Sequence, residues 1–590
     1  MSALAALTRA YDRMAARNEV PPFGYSTQNI GFLISLNADG SVASIPVDLR
    51  SGEGETRAPR RLSVPQPIKR TVGIEPNFLW DKTAYVLGVM ADKGKRKRKR
   101  TAAVEHKAFV ERHRDWLTGT NDEGLVALLR FLEGWRPELF TKMAWPDDMK
   151  DQNVVFALER ERLDNVYLHD RPAARELWAR LSAQADKKPD AICLINGVKA
   201  PVARLHPSIK GVWGAQSSGA SIVSFNLDAF TSYGHEQGDN APISETAAFA
   251  YTTALNRLLE RDSGHRVQIG DASTVFWADG GDPNAALEAE NFFAGLMGAD
   301  NEKIVTRGVK DTLEKIRAGR AAADVVVELP KGVRFYIVGL APNASRLSIR
   351  FYLEDDFGVI ARRFLEHVER MRIEPPPRDV APSMWRMLIE TAVLRKSENI
   401  QPNLAGNWLR AILCGAPYPL TLLSTLIIRL RADHDVNALR VAMLKSLLIR
   451  NFNMEVPVAL DPAFTDQGYL LGRLFALYEK VQAEALGYNV NATIKDKFYS
   501  AASAQPRKVF HLLESGSANH LSKIGKQKPG LKVHLEKQIG AIMDLMDPGK
   551  DPFPTSLPDK SQALFGLGYY HQRNEFFRKS NKSTLEEAAA

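Results

Sequence analysis

Cysteine is nearly absent from this 590-residue sequence, which contains only Cys193 and Cys414. Two cysteines cannot form a disulfide framework, and they cannot supply the ligands of a cysteine-based zinc site. Long apolar runs are absent as well, because no uninterrupted stretch reaches the ~18 residues that suggest a membrane-spanning helix. These absences predict a protein of a reducing compartment without a membrane segment, and we expect it in the cytoplasm.

Catalytic motifs are also missing. The sequence has no G-x-x-x-x-G-K-[ST], no G-x-G-x-x-G, no G-x-S-x-G and no H-E-x-x-H. Two histidine patterns keep a metal-dependent nuclease open as an alternative: His106 and His113, seven residues apart on one helix face, and the dipeptide His434-Asp435. The first pattern is more often structural or phosphate-facing, and the second lacks recognisable further ligands. We therefore expect no enzyme, no cofactor and no bound metal.

Positive charge, by contrast, is concentrated in two windows. The chain carries a net charge of +9, and residues 41–100 contain 14 Lys/Arg against 6 Asp/Glu. Residues 473–582 contain 17 Lys/Arg against 10 Asp/Glu, so the rest of the chain is mildly acidic. Basic charge that is concentrated in this way and interleaved with aromatic residues indicates a polyanionic partner, most simply nucleic acid.

The stretch 60–100 separates into parts with different chemistry. It ends in a dense run of cations that would contact phosphates without reading sequence: Lys93, Lys95, Arg96, Lys97, Arg98, Lys99 and Arg100. A solvated, mobile loop is the alternative explanation of this run. Reading of bases requires an inserted group, either Asn77 at a base edge or Phe78 as a wedge between base steps. Core packing is the alternative for Phe78, Leu79 and Trp80, and it is favoured for the last two.

Periodicity predicts mixed secondary structure in the first 355 residues. Helices are expected where Leu4, Leu7, Tyr11 and Met14 share one face, and at 106–117, 125–135, 244–260, 284–296 and 303–318. Strands are expected at 30–36 and 42–47, which form a hairpin, and at 85–90, 191–195, 221–227, 274–277, 334–340 and 347–353, of which the last two form a second hairpin. Residues 50–70 lack periodicity and are predicted to be loop.

Three consecutive prolines, Pro375 to Pro377, mark a boundary because they cannot continue a helix. The chain after them is predicted to be helical at 383–396, 404–414, 420–431, 436–449, 468–486, 491–502, 506–514 and 531–546, as in a bundle. The expected fold class is α+β, a mixed N-terminal α/β part with β-hairpins followed by an all-α bundle. We expect a nucleic-acid-reading region at 1–120, a mixed body at 121–375, a helical domain at 376–465, a helical bundle at 466–582 and a disordered tail at 583–590.

Several long segments together resemble one known family. They are GYSTQNIGFLISLNADG (24–40), RTVGIEPNFLWDKTAYVLG (70–88), HKAFVERH (106–113), SIVSFNLDAFTSYGHEQGDNAPIS (221–244), TVFWAD (274–279), GLAPNASRLSIRFY (339–352), YLLGRLFALYEKVQ (469–482) and FGLGYYHQRNEFF (565–577). In these segments, their order and their spacing, the chain is similar to the large subunit of the type I-C CRISPR surveillance complex, Cascade, of the Csd family. The resemblance covers essentially the full chain.

The resemblance implies a non-catalytic role in antiviral defence. In this family the large subunit recognises the protospacer-adjacent motif on double-stranded DNA, promotes duplex opening and R-loop formation, and presents the R-loop to a separate helicase–nuclease. The implied partners are target DNA, CRISPR RNA within the complex, the backbone subunit, the subunit that holds the RNA 5′ handle, and the small subunits. A separate small subunit is made from an internal start in the same gene, for which Met443 and Met454 are conceivable positions.

The charge pattern and the family resemblance together predict which residues contact DNA. The motif reader or wedge would consist of Lys69, Arg70, Gly73, Asn77 and Phe78, and residues 93–100 would clamp duplex phosphates. Gln237 and Asn240, in a Gly-rich turn before a helix, form a second candidate reader loop. Helix capping by Asn240 or Ser244 is the alternative there, and it is slightly favoured.

The C-terminal helices resemble the small subunits that cradle the displaced strand. Their candidate groove residues are Lys495, Lys497, Arg507, Lys508, Lys523, Lys526, Lys528 and Lys532, with Phe498, Tyr499, Tyr569 and Tyr570 nearby as stacking groups. A third alternative for the function of the chain is a purely structural scaffold, whose basic ends hold only the guide RNA.

Overall fold

A computed structural model of the chain describes residues 2–52, 57–68, 73–91, 96–184, 190–225, 227–297, 311, 315, 332–377, 382–487 and 491–577. Its contacts define two compact units. The N-terminal unit comprises Ser2–Pro207 and Val223–Arg257, and the C-terminal unit comprises Ser208–Ile222 and the chain from Leu258 onward. The predicted mixture of helices and small sheets, followed by a helical C-terminal region, is confirmed.

The N-terminal unit is built around a small mixed sheet. Its helices and strands are α1 (Ala3–Ala16), β1 (Tyr25–Ile30), β2 (Phe32–Leu36), β3 (Val47–Asp48), β4 (Arg60–Pro65), β5 (Asp81–Lys82), α2 (Thr83–Leu87), α3 (Arg96–Leu117), α4 (Glu123–Gly134), α5 (Leu139–Lys142), β6 (Asn153–Leu158), α6 (Glu159–Arg162), α7 (Pro172–Gln184), β7 (Asp190–Ile192), β8 (Lys199–Pro201) and α8 (Glu245–Leu258). The strand order is β3-β2-β6-β5, and β2 runs parallel to β6. All five residues of β2 are buried, as is typical of a strand covered on both faces.

The structure confirms α1, α4 and the antiparallel pairing of β2 with the segment that follows it, although the strand predicted at 42–47 is limited to a bridge at Val42 and the two residues of β3. Two other predictions in this unit are corrected. Residues 50–70 contain a strand, β4, which pairs antiparallel with β1 from Tyr25↔Pro65 to Ile30↔Arg60. The predicted strand at 85–90 is instead the short helix α2, which ends at Gly88. Every residue of α2 is buried, so its apolar run has no periodicity that could distinguish a helix from a strand.

The C-terminal unit combines an antiparallel sheet with a helical array. Its helices and strands are β9 (Arg266–Ile269), β10 (Ala272–Asp279), α9 (Pro283–Met297), β11 (Arg334–Asn343), β12 (Arg346–Asp356), α10 (Phe357–Arg370), α11 (Met384–Thr391), α12 (Pro402–Cys414), α13 (Leu420–Asp433), α14 (Ala438–Phe452), α15 (Gln467–Leu486), α16 (Ile494–Ala504), α17 (Phe510–Gln527), α18 (Pro529–Met543) and α19 (Asp559–Glu575). The strand order is β12-β11-β10-β9.

The second predicted hairpin is confirmed as β11–β12. The predicted strand at 221–227 is wrong, because Ser221 makes a single bridge to Arg346 and no strand forms there among the described residues. The predicted strand at 191–195 is shorter, ending at Ile192, and the predicted helix at 303–318 lies outside the described residues except for positions 311 and 315. The predicted helix at 506–514 begins later and continues to Gln527.

Helices α15 and α19 approach each other closely at glycines. A Cβ atom at Gly472 would lie 2.1 Å from the carbonyl oxygen of Phe565, and one at Gly568 would lie 2.1 Å from that of Tyr469. Only glycine fits such a backbone-to-backbone contact. These helices contribute to one continuous apolar core of the unit. No helix among the described residues combines the length and the apolar character needed to cross a membrane.

Candidate nucleic-acid interface

The predicted reader loop lies between β4 and β5, and the side chain of Asn77 closes it. Asn77 Oδ1 accepts a hydrogen bond from the backbone N–H of Ile68 at 3.0 Å, and Asn77 N donates to Asp81 Oδ2 at 2.9 Å. Gly73 has a φ of +120°, which a residue with a side chain would adopt only under strain. The amide of Asn77 therefore holds the two ends of the loop together.

This arrangement changes the role expected of Asn77. The residue is 4% exposed, so in this conformation its side chain cannot reach a base edge. Lys69 and Arg70, the two cations predicted to read the motif, fall in residues 69–72 of this segment, which lie outside the described residues. Asn77 is thus a positioning residue for the loop that carries them.

Phe78 is part of the hydrophobic core. It has no exposed surface, and its ring stacks on Trp178 with 5.3 Å between the ring centroids. A side chain buried in this way cannot enter a base step unless the core opens, so the wedge role does not fit this conformation. Core packing, the alternative favoured for Leu79 and Trp80, is confirmed for both residues, and Trp80 Nε1 donates to the carbonyl oxygen of Pro65 at 2.8 Å.

Several contacts join the reader loop to α3. His113 Nε2 accepts a hydrogen bond from Leu79 N at 3.0 Å, and the His113 ring stacks against Phe78. Arg112 forms an ion pair with Glu75 at 3.0 Å. The loop and the helix are consequently one connected piece of structure.

The histidines of α3 use their ring nitrogens for packing. His113 Nδ1 donates to the carbonyl oxygen of Phe109 at 2.8 Å while Nε2 accepts from Leu79, so both nitrogens are occupied. His106 Nδ1 contacts the carbonyl oxygen of Tyr85 at 2.9 Å. Burial lowers the pKa of His113 to about 4 and lowers the pKa of His106 as well. Both side chains therefore stabilise α3 as neutral imidazoles, which leaves the metal alternative without a free ligand at His113.

The basic run leads into the first turns of α3. The helix begins at Arg96, so residues 96–100 are helical, although their side chains, and Lys93 and Lys95 entirely, lie outside the described residues. The sequence predicted that this helix begins near residue 106, and it begins ten residues earlier. At ~1.5 Å per residue, the cations of this turn lie roughly 20 Å along the helix axis from His113.

Gln237 and Asn240 occupy a tight turn before α8. Asn240 Nδ2 donates to the carbonyl oxygen of Gln237 at 3.1 Å, and a Cβ at Gly238 would lie 2.0 Å from the carbonyl oxygen of Ala203. Ser244 Oγ accepts from Ala247 N at 3.2 Å and caps the helix. The capping alternative is therefore confirmed for Ser244, whereas Asn240 stabilises the turn itself.

The predicted groove cations lie on and between α16, α17 and α18. Three of them have carboxylate partners: Arg507 pairs with Asp551, Lys528 with Glu484 at 3.3 Å, and Lys532 with Glu536 at 3.6 Å. The other five have no carboxylate within 4.0 Å in the part of the chain that the structure describes, namely Lys495, Lys497, Lys508, Lys523 and Lys526. These five are available to phosphates without first breaking an ion pair.

The aromatic residues expected to stack on bases beside these lysines belong instead to the core. Tyr499, Tyr569 and Tyr570 are buried, and Phe498 is partly buried and packs against the same core. The prediction that they stack on bases is therefore not supported in this conformation, because these side chains face the core. Single-strand binding at these helices would therefore depend on charge alone.

The His434-Asp435 dipeptide has a structural role. Asp435 pairs with Arg395 and accepts a hydrogen bond from Asn437 Nδ2 at 3.0 Å, and His434 takes a left-handed backbone conformation at the end of α13. Among the described residues, no group of three or more His, Cys, Asp or Glu side chains is placed to hold a metal ion.

Sequence reasoning missed Glu75 and Arg112 as positioning residues. One lies in an aperiodic loop and the other on a helix 37 positions later, so no local spacing connects them. The sequence predicts His113 only as a candidate metal ligand, because its partners in the loop cannot be inferred from the helix face alone.

A family of known proteins matches nearly the whole chain. The sequence profile of the family described as CRISPR-associated protein Cas_Csd1 matches residues 7–577. No curated protein matches the sequence. The profile therefore includes the reader loop, α3 and the C-terminal lysines.

Proposed function

The chain belongs to the Csd1 family of CRISPR-associated proteins, and from that premise we propose that it is the DNA-reading large subunit of a type I-C Cascade complex. A role in CRISPR defence follows from the family. Beyond it, the chain recognises the protospacer-adjacent motif on double-stranded DNA, promotes duplex opening and R-loop formation, and stabilises the displaced strand. It acts without catalysis of its own and helps to recruit a helicase–nuclease that cleaves the DNA.

The observation that carries this proposal is the connection between the reader loop and α3. Lys69 and Arg70 belong to a loop closed by Asn77, and that loop is tied to a helix that begins with five consecutive cations. Like charges on successive turns repel one another, so neutralisation by DNA phosphates would stabilise this helical end. His113, which contacts the loop, lies roughly 20 Å along the helix axis from these cations, and about six steps of one DNA strand at ~3.4 Å each span that length.

The C-terminal helices supply the second half of the proposal. Five exposed or partly exposed lysines without carboxylate partners among the described residues favour a phosphate-lined path for the displaced strand. Met454 lies two residues beyond α14, whereas Met443 is buried within it. A product that starts at Met454 would begin after α14 and contain no part of it, whereas one that starts at Met443 would begin inside that helix, so we propose Met454 as the start of a separate small subunit.

Asn77→Ala should weaken binding mainly to duplexes with the correct motif. The substitution removes the acceptor of Ile68 N–H and loosens the loop, at a cost of about 1–3 kcal/mol for each base that the loop no longer reads. Gly73→Ala should act in the same direction, because φ +120° strains any residue with a Cβ although nothing lies within 4 Å of that atom. The measurement is the affinity of the assembled complex for matched duplexes with and without the motif.

Gly119→Ala is the matched control for this pair of variants. Gly119 also has a positive φ, of +78°, and open space around its Cβ position, but it follows α3 in the chain and is not part of the loop. Motif discrimination should be unchanged in this control. Discrimination that also persists in Asn77→Ala and Gly73→Ala would remove the reader role from this loop.

A further inference from the structure

Trp213 presents its indole to solvent on a loop whose backbone is fixed. Its side chain is 66% exposed. Ile209 and Ala220 exchange two backbone hydrogen bonds, of 2.8 and 2.9 Å, which close the ten-residue loop between them. Within the loop, Trp213 N donates to the Oγ of Ser273, a buried residue of β10, at 2.9 Å. The position of the indole is thus set by the sheet of the C-terminal unit.

Further contacts hold the loop on either side of Trp213. Arg266 Nη1 donates to the carbonyl oxygen of Gly211 at 2.9 Å, and the side chain of Val212 is buried. Gly214 follows at a φ of +74°, with Pro342 of the β11–β12 hairpin beside it. Because the backbone of this loop is already held in place, the loop would lose little conformational entropy on binding a ligand, which favours binding. The indole is thus held at the surface by a backbone that the sheet positions, and its face is open to a ligand.

The exposed side chains of the loop around Trp213 are polar, and none of them is acidic. They are Lys210, Gln216, Ser217 and Ser218. In the sequence, no aspartate or glutamate occurs between Asp190 and Asp228. The loop therefore offers one stacking surface, one cation and several hydrogen-bonding groups, with no carboxylate of its own to repel a phosphate.

We propose that this loop, residues 210–219, binds single-stranded DNA, with a base stacked on Trp213 and a neighbouring phosphate near Lys210. Base stacking on an exposed aromatic beside positive charge is the usual chemistry of single-strand binding. A protein partner would need well-packed side chains around the indole to exclude water, and the exposed residues of the loop beside Trp213 are glycines and polar residues. The inference deepens the proposed function and rests on it for the source of the strand, which is the DNA strand displaced from the target duplex.

The test is binding of the full chain to a fluorescent mixed-sequence DNA oligomer of about 20 nucleotides, longer than the ~4–16 that one binding module usually covers. Trp213→Ala should raise Kd about 5- to 150-fold, and Trp213→Phe should recover most of the affinity because it keeps an aromatic face. Trp385→Ala, which removes another partly exposed indole (39%) of the same unit, should leave Kd unchanged.

Salt dependence separates stacking from charge. Trp213→Ala should leave the slope of log K against log salt intact, whereas Lys210→Ala should flatten it by about 0.7, because one phosphate is no longer neutralised. Thermal unfolding should be the same for Trp213→Ala and wild type, since the indole is mostly exposed.

An unchanged Kd in Trp213→Ala would overturn this proposal, and so would a loss of affinity confined to an RNA oligomer of the same sequence. An equal loss in Trp385→Ala would also overturn it. The oligomer contains no duplex and no motif, so its binding is independent of motif recognition. A chain that binds the oligomer through Trp213 but shows no motif preference would keep this inference and contradict the reader role.

Discussion

Gly472→Ala should lower the stability of the chain by about 3 kcal/mol or more, among the largest effects expected of a single methyl group. The added Cβ would lie 2.1 Å from the carbonyl oxygen of Phe565 and 2.8 Å from Tyr569 N. Both are backbone atoms, so no side-chain rotation relieves the clash, and α15 and α19 must separate. The midpoint of urea unfolding, followed by the helical circular dichroism signal, measures the loss of stability.

Gly540→Ala is the control for this variant. Gly540 also lies inside a helix, α18, but its Cβ position has nothing within 4 Å. Alanine is preferred over glycine inside helices by about 1 kcal/mol, so this change should be neutral or stabilising. Equal midpoints for Gly472→Ala and wild type would contradict the close approach of the two helices.

Neutralising the basic run should weaken binding to every duplex, whatever its motif. The variant replaces all seven cations with glutamine: Lys93, Lys95, Arg96, Lys97, Arg98, Lys99 and Arg100. A protein with about 6–10 phosphate contacts loses roughly 10³–10⁵ in affinity between ~50 and ~200 mM salt, with a slope near 0.9 per contact. The variant should therefore bind more weakly at low salt and show a much flatter salt dependence. Affinity of the assembled complex across a salt series is the measurement.

A charge-preserving variant controls for this experiment. Arg96→Lys, Arg98→Lys and Arg100→Lys together keep the charge of the run while changing its hydrogen-bonding geometry. Phosphate contacts of this kind depend mainly on charge, so affinity and salt slope should stay close to wild type. If the glutamine variant changed motif preference but kept its salt slope, the run would be a reader and not a phosphate clamp.

Local patterns predicted most of the elements of the fold. The spacing of Leu4, Leu7 and Tyr11 indicated α1, and two short segments rich in β-branched and aromatic residues on either side of a turn indicated the β11–β12 hairpin, since both depend on neighbours close in sequence. The parallel pairing of β2 with β6 was not predicted, because Phe32 and Val154 are more than a hundred residues apart and no local signal links them. β4 was not predicted for the same reason: it pairs with β1, and no local signal in the sequence links these two segments.

The site was predicted in outline but not in its geometry. Charge and composition identified the stretch 60–100, and the family resemblance gave it a role. The sequence could not show that Phe78 faces Trp178 in the core, or that the Asn77 amide holds Ile68. Aromatic and amide side chains next to cations are equally suited to packing and to binding, and only tertiary contacts decide between them. Trp213 is the opposite of Phe78: its side chain is exposed, and nothing in its local sequence indicates this.

The central claim, that this subunit reads a DNA motif, is tested most directly by a motif-library binding assay. The complex is reconstituted with guide RNA and offered duplexes whose positions beside the guide-matched sequence are randomised, and the bound pool is sequenced. We expect one short motif to be enriched with the wild-type chain, and the enrichment to be lost with Asn77→Ala and Gly73→Ala. Equal enrichment when this chain is left out of the complex, or no enrichment when it is present, would contradict the account.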